Sequence, residues 1–417
     1  MESLLAGILR RIVSHGRLSV VMASGARHVF GDGSGPPVAL RFTDRGAQWA
    51  FVLDPYLKMG ELFMDGRLVV EEGDIYQALD LLLGELKGKP EPLPVRLSHK
   101  LRFALRRFAQ RNGLTRSRQN VAHHYDLDGR LYDLFLDDDR QYSCAYYDRD
   151  GMTLEEAQAA KRRHIAAKLA IHGGERVLDI GSGWGGLGLY LAGVAGAREV
   201  LGVTLSEEQL ALARRRAEEG GLADRVRFEL RDYRTLDGAF DRIVSVGMFE
   251  HVGVTQYRAF FEKARDLLAP DGVMLLHTIG LSDGPWFTNP WIDKYIFPGG
   301  ALPALSEMLP LIERAGLVVT DVEVLRLHYA FTLRDWRARF LARREEAARL
   351  YDERFCRMWE FYLAACEAAF RHQGAVVFQL QLARRQEAVP LTRGYIEMTE
   401  AALERKERCG GLAAAAE

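Results

Sequence analysis

The sequence predicts an α/β protein, a doubly wound parallel sheet with a smaller α+β domain in front of it. Three observations carry this. From about residue 175, short apolar runs alternate with segments of helical period, the pattern of strands joined by crossover helices. A glycine-rich turn, Gly181 to Gly186, joins the first run to the first helix. A proline- and glycine-laden break at 88–94 sets off an N-terminal stretch with its own apolar periodicity.

Each element follows from its pattern. Leu4, Leu5, Ile8, Leu9 and Ile12 recur at helical spacing. Val38, Leu40 and Phe42 alternate as in a strand before Asp44-Arg45-Gly46, and 75–87 reads as an apolar helix. Residues 96–118 carry eight Lys/Arg and no acid, with Leu97, Leu101, Leu105 and Phe108 on one face. Such a segment either lies on an anionic lipid surface or is a solvated linker helix. The strands of the sheet are read at 176–180, 200–203, 226–230, 240–246 and 273–278, with helices at 187–195 and 209–219. Residues 336–389 read as mostly helical. The domains are placed at 1–115, for lipid binding or dimerisation, and 116–405, for catalysis.

Composition narrows the partners. A chain of 417 residues that is 48% hydrophobic and 27% charged has enough apolar material for two or three packed domains. The formal net charge of -1 gives no global field for nucleic acid, so no nucleic-acid partner is expected. Cys144, Cys356, Cys366 and Cys409 form no Cys-x-x-Cys pair, so no metal site is expected and a reducing compartment fits. Glu2, Arg10 and Arg11 disfavour a secretory signal, and no run of about 18 uncharged apolar residues occurs. The expectation is a cytoplasmic protein that meets the inner face of the membrane peripherally.

Gly181, Gly183 and Gly186 satisfy Gly-x-Gly-x-x-Gly, so a nicotinamide dinucleotide has to be weighed. A nicotinamide site expects an acid at the end of the second strand, where this chain has Thr204-Leu205-Ser206. Asp232-Tyr233 follows the third strand, where an adenine can be sandwiched. Asp179 stands directly before the loop, as in the first motif of class I methyltransferases. The balance favours S-adenosylmethionine.

Further strings sharpen this. They are His124-Tyr125-Asp126, Tyr142-Ser143-Cys144-Ala145-Tyr146, the loop at 177–186, Gly202 to Ser206, Val244 to Gly253, Leu276-His277-Thr278-Ile279-Gly280, Pro298-Gly299-Gly300 and His328-Tyr329-Ala330. In order and rough spacing, over about 120–390, they resemble the cyclopropane-fatty-acyl-phospholipid synthases and the related mycolic acid cyclopropane synthases. The N-terminal module resembles the extra domain of the bacterial phospholipid enzymes.

The resemblance implies a class I methyltransferase, Rossmann-like fold. It implies methylene transfer from S-adenosylmethionine across the cis double bond of unsaturated phospholipid acyl chains, with bound bicarbonate as the base. Carried over position by position, the bicarbonate ligands are Cys144, Glu250, His277, Ile279 through its backbone, and Tyr329. For the cofactor, Tyr142 and Ser143 lie near the methionine part and Gly181 and Gly183 approach by backbone. Thr204 and Gln209 are implied near the ribose, Tyr233 near the adenine, and Tyr125 as a closing residue. His251 and His328 are read as structural. Two departures stand out: Leu127 to Tyr132 where many members have Gly-Asn-Asp-Phe-Tyr, and Ser182 in place of a frequent cysteine.

Alternatives stay open. Cys144 by itself reads as a small core residue. The aromatic runs Trp286 to Phe297 and Phe355 to Phe370 line an acyl channel or are core. The product is a ring or a methyl- or methylene-branched chain. Rival readings are a small-molecule or nucleic-acid methyltransferase and a non-catalytic lipid-binding protein on the same scaffold. The N-terminal module can pair two subunits, so a homodimer is carried as an expectation.

Overall fold

The computed structural model describes residues 2–86, 88–89, 93–110 and 128–414. Tyr125, with His124 and Asp126, and the 111–118 part of the basic segment lie outside the described residues. The chain folds as two compact units. The first comprises Met1–Phe108, Trp286–Pro298 and Tyr329–Ala375; the second comprises Ala109–Pro285, Gly299–His328 and Val376–Glu417.

In the first unit, strands β1 (Arg17–Val21), β2 (Arg27–Phe30), β3 (Pro37–Phe42) and β4 (Leu68–Glu72) form a sheet of order β2-β1-β3-β4. β1 pairs antiparallel with β2 and parallel with β3. Helix Glu2–Ile12 buries Leu5, Ala6 and Leu9; of the residues its spacing singles out, Leu4 is instead exposed and Ile8 and Ile12 are partly buried. The two aromatic runs meet in this unit's core. Trp291 is fully buried, its Nε1 donates to Met64 Sδ at 3.3 Å, and its ring stands edge-on to Phe361 at 4.7 Å. Gly60 leaves room for it, because a Cβ there would lie 2.4 Å from Trp291 Nε1. Helix Leu93–Ala109 is the described part of the basic segment, and Leu97, Leu101 and Leu105 are exposed on it.

The second unit holds a seven-stranded sheet of order β10-β11-β9-β8-β5-β6-β7. Its strands are β5 (Arg176–Ile180), β6 (Glu199–Thr204), β7 (Val226–Leu230), β8 (Phe240–Val246), β9 (Leu268–Leu281), β10 (Val318–Val324) and β11 (Ala375–Ala383). β5 runs parallel to both β6 and β8, so the chain winds outward to β7 and then returns to the other side of β5. That reversal opens a crevice at the carboxyl ends of β5 and β8, where such sheets take ligands. Both faces of the sheet are covered. Ile243 and Leu276 pack into one core cluster with Phe249, Phe260 and Phe261, while their neighbours Val244 and Leu275 pack into another with Tyr190 and Leu191.

The expectation of mostly helix through 336–389 fails at Ala375–Ala383. Every residue of that stretch is buried, so the strand shows no apolar-polar alternation to mark it. Among the described residues no helix is long and apolar enough to cross a membrane.

Candidate active site

The turn after β5 builds the floor of a cavity. Gly181, Gly183 and Gly185 all take positive φ, which glycine adopts without strain. The amides of Gly181 and Ser182 both donate to the Val203 carbonyl, at 2.9 and 3.0 Å, which ties the turn to the end of β6. A Cβ on Gly181 would lie 2.8 Å from Met248 Cβ, whereas one on Gly183 would meet nothing within 4 Å. Gly183 thus leaves its backbone open to the cavity. Tyr142, Ser143, Gly181, Gly183, Thr204, Gln209 and Tyr233 all line this one space. Thr204 Oγ1 and Gln209 Oε1 are 3.0 Å apart, and Ser206 caps the helix that carries Gln209. Asp232 accepts from the Arg234 guanidinium and backbone, which holds the turn that presents the Tyr233 ring.

The cavity also contains polar atoms in want of a ligand. Asp179 is 2% exposed, and its Oδ2 has no hydrogen-bond partner among the described residues. Burial alone pushes its carboxyl up to about 7. Ser182 Oγ is buried too and has no partner among the described residues. An orphaned carboxylate, open backbone at Gly183 and an aromatic face at Tyr233 suit a ligand with a cationic amine and a flat ring. These features fit the amino-acid and adenine ends of S-adenosylmethionine.

Lys161, absent from the sequence reading, anchors one wall. It is 1% exposed and donates to Gln141 Oε1 at 2.6 Å and Ser143 Oγ at 2.8 Å. Burial pulls its pKa down to about 8, partly opposed by Asp137. Gln158, three residues earlier on helix Leu154–Lys168, donates to the Gln141 and Ser143 carbonyls. The pair marks a polar stripe on a buried, alanine-rich helix face, and that was the available signal.

A second cluster gathers where β8 and β9 end. The two strands pair in parallel, and Gly247 donates to the His277 carbonyl at 2.9 Å. The next turn, Phe249–His251, buries Glu250. Glu250 Oε1 accepts from the Ile279 amide at 2.6 Å, while Oε2 is buried without a hydrogen-bond partner among the described residues. Burial pushes this carboxyl up to about 7, against the pull of the Ile279 amide. His277 is 2% exposed, and burial drives it down to about 3, so it is neutral. Gln379 Nε2 lies 3.2 Å from His277 Nδ1; a donating amide there puts the ring hydrogen on Nε2. Gln379, a polar residue in the all-buried β11, was also unnamed in the sequence reading.

Glu250, His277 and Ile279 are therefore brought together by strand pairing. In the structure the Ile279 amide faces Glu250 itself. Cys144 is fully buried in the same unit, its Sγ donating to the Ala145 carbonyl at 3.3 Å. Tyr329 belongs to the first unit, where it is buried with its ring against Phe370 and Trp336. His251, pushed down to about 4 by burial, lines the cavity and is neutral.

Asp179 and Glu250 both bind protons more tightly folded than unfolded. Their contribution to stability is complete below about pH 4, the unfolded carboxyl range. It is lost as pH rises towards 7, where both must ionise in a buried place. The ligand-free chain is expected to lose melting temperature across that window, and Asp179→Asn to flatten the loss. An Asp179→Asn profile parallel to the unaltered one would contradict this.

Comparison with known proteins agrees with the geometry. A family model described as mycolic acid cyclopropane synthetase matches residues 112–380. A cyclopropane-fatty-acyl-phospholipid synthase of Escherichia coli is 41% identical over 328 residues, covering 79% of this chain and 83% of that relative. A tuberculostearic acid methyltransferase of Mycobacterium tuberculosis is 36% identical over 393 residues, 90% of each chain. The crystal structure of a mycolic acid cyclopropane synthase complexed with S-adenosylhomocysteine and CTAB superposes with a TM-score of 0.60 at 36% identity, covering 64% of this chain and 97% of that one. The chain belongs to the mycolic acid cyclopropane synthetase family of S-adenosylmethionine-dependent methyltransferases.

Proposed function

We propose that this chain transfers a methylene group across the cis double bond of an unsaturated fatty-acyl chain in a membrane phospholipid, closing a cyclopropane ring with bicarbonate as the base. The observation that carries the reading is Glu250, a buried carboxyl with one oxygen on the Ile279 amide and the other without a hydrogen-bond partner among the described residues, with neutral His277 two residues before Ile279 on β9.

S-adenosylmethionine, bound in the cavity, supplies an electrophilic methyl carbon on a positive sulfur. Gly181 and Gly183 approach its methionine part by backbone, with Tyr142 and Ser143 beside them. Asp179 offers its amine a counter-charge. Thr204 and Gln209 would hold the ribose and Tyr233 the adenine.

Bicarbonate supplies the base that takes a proton during ring closure. An anion beside a charged carboxylate would be repelled, but Glu250 titrates near 7 and can share a proton with it. Neutral His277 adds a donor for the remaining oxygens, and the resemblance implies the Cys144 thiol and the Tyr329 hydroxyl as further ones, while the Ile279 amide, given to Glu250, acts by holding that carboxyl. An alkene is a feeble nucleophile, so alignment and exclusion of water must supply much of the acceleration. The burial of Cys144, Glu250 and His277 supports a dry site of that kind.

Membrane contact rests on helix Leu93–Ala109. Leu97, Leu101 and Leu105 are each half exposed or more, and Trp286, whose ring packs at 5.9 Å from Phe103, is 47% exposed. Arg102 is bound to Asp54 and Arg106 Nη1 donates to the Trp286 carbonyl, while Arg96 and Lys100 are exposed with the apolar stripe and can meet lipid headgroups. Methyl branching without a ring is a second reading. The relative named as a tuberculostearic acid methyltransferase favours it, since that similarity spans 90% of both chains.

Purified chain with unsaturated phospholipid vesicles is expected to release S-adenosylhomocysteine, and with fully saturated vesicles not to. Proton NMR of the extracted lipid is expected to show high-field ring protons; methyl-branch signals alone would favour the second reading. Glu250→Gln should lower kcat by about 10²–10³-fold with cofactor affinity kept. Full activity in that variant would remove Glu250 from the chemistry. Replacing Leu97, Leu101 and Leu105 by serine should weaken vesicle binding by at least about tenfold, and unchanged binding would remove the helix from the membrane contact.

A further inference from the structure

Tyr146 stands two residues after Cys144, and its ring stacks with two histidines, His164 at 4.2 Å and 8° and His328 at 5.1 Å and 13°. The two histidines are not in the same state. His328 Nδ1 accepts from the Tyr147 amide at 3.0 Å, so that nitrogen carries a lone pair. His164 is 3% exposed, with Nδ1 at 2.6 Å from Glu400 Oε1 and Nε2 at 2.7 Å from Glu323 Oε2. Contacts this short to two carboxylates place a hydrogen on each ring nitrogen, the imidazolium form.

The surroundings require that charge. Glu323 also receives the fully buried Lys168 ammonium, which lies 3.4 Å from Asp321. Arg393 pairs with Asp321 at 3.1 Å and reaches Glu323 at 3.8 Å. Asp321, Glu323 and Glu400 are thus met by His164, Lys168 and Arg393. Asp148, His277, Arg326 and Tyr395 lie around the same cluster. A neutral His164 would leave one carboxylate uncompensated in a largely buried place.

We infer that His164 is a positioning residue, an imidazolium that clamps the Tyr146 ring against His328 and thereby fixes Cys144. The cation lies flat on the Tyr146 π face, an attraction a neutral ring would largely lose. His328 is also the chain neighbour of Tyr329. The inference rests on the reading of Cys144 as part of the anion's shell. Burial opposes the charge, but the hydrogen bonds from Glu323 and Glu400 outweigh it and raise the imidazole above its ordinary value. The clamp is therefore complete below about pH 6.5 and is released as pH rises through that raised value.

The test uses the full chain and a charge-balanced variant, His164→Gln with Glu400→Gln, which leaves Asp321 and Glu323 facing Lys168 and Arg393. Imidazole NMR of the unaltered chain, with His164 assigned by its loss in the variant, is expected to show hydrogens on both ring nitrogens near neutral pH. In the folded variant, iodoacetamide is expected to label the Cys144 peptide at least about tenfold faster. kcat should fall by a similar factor with KM for S-adenosylmethionine little changed. One ring hydrogen on His164 overturns the inference, as does equal Cys144 labelling in a folded variant. Should the variant not fold, the ring spectrum of the unaltered chain, assigned with a His164→Asn single variant, decides alone. An unaltered chain without turnover would sink the parent reading and leave labelling and ring spectra to decide this one.

Discussion

The site depends on a single hydrogen bond, from the Ile279 amide to the Glu250 carboxylate. Burying a carboxylate costs several kcal/mol unless its oxygens are met. Here one oxygen is met by backbone that the sheet itself fixes, and the other has no hydrogen-bond partner among the described residues. The arrangement exists because β8 and β9 pair in parallel, with Val246 opposite His277, so that the turn after β8 lies over the end of β9. Had the strands slipped by one residue, His277 would face the opposite side of the sheet and Glu250 would meet a different amide.

Four of the orphaned polar atoms of the second unit lie close to its sheet. Asp179, Ser182, Glu250 and Gln379 each carry a buried atom without a partner among the described residues, on or just after strands of the sheet. Each costs about 1–3 kcal/mol. The fully covered sheet, with aromatic packing around Phe249, Phe260 and Phe261, offsets this. Stability is thus drawn from both faces of the sheet and given up along its ligand-binding edge, the usual distribution when polar groups are kept ready for a substrate.

How far the sequence was legible depended on whether a local pattern existed. β5, β7 and β8 were read with their observed bounds, because short apolar runs between turn residues leave few alternatives. The glycine loop was legible because its backbone requires those residues. β11 was not: a run buried on both faces has no period, and it directly follows a long helix. Lys161 and Gln379 were missed because their partners, Ser143 and His277, are distant in sequence. The same holds for the meeting of Trp291 with Phe361 in the first unit, which only the fold brings about. Glu250, His277 and Ile279 were named through resemblance. The structure supplied the hydrogen bond and the burial that give two of them a physical role.

The site is thus an electrostatic device as much as a shape. Burial keeps His277 neutral and Glu250 close to its own midpoint at physiological pH, and Lys161 and Asp179 are shifted towards neutrality nearby. Such a place suits the small anion that the proposed function requires. The most direct measurement is turnover on unsaturated vesicles in buffer stripped of carbon dioxide, followed by stepwise return of bicarbonate. The account predicts a rate that collapses on stripping and recovers saturably as the anion returns; a rate indifferent to bicarbonate would contradict it.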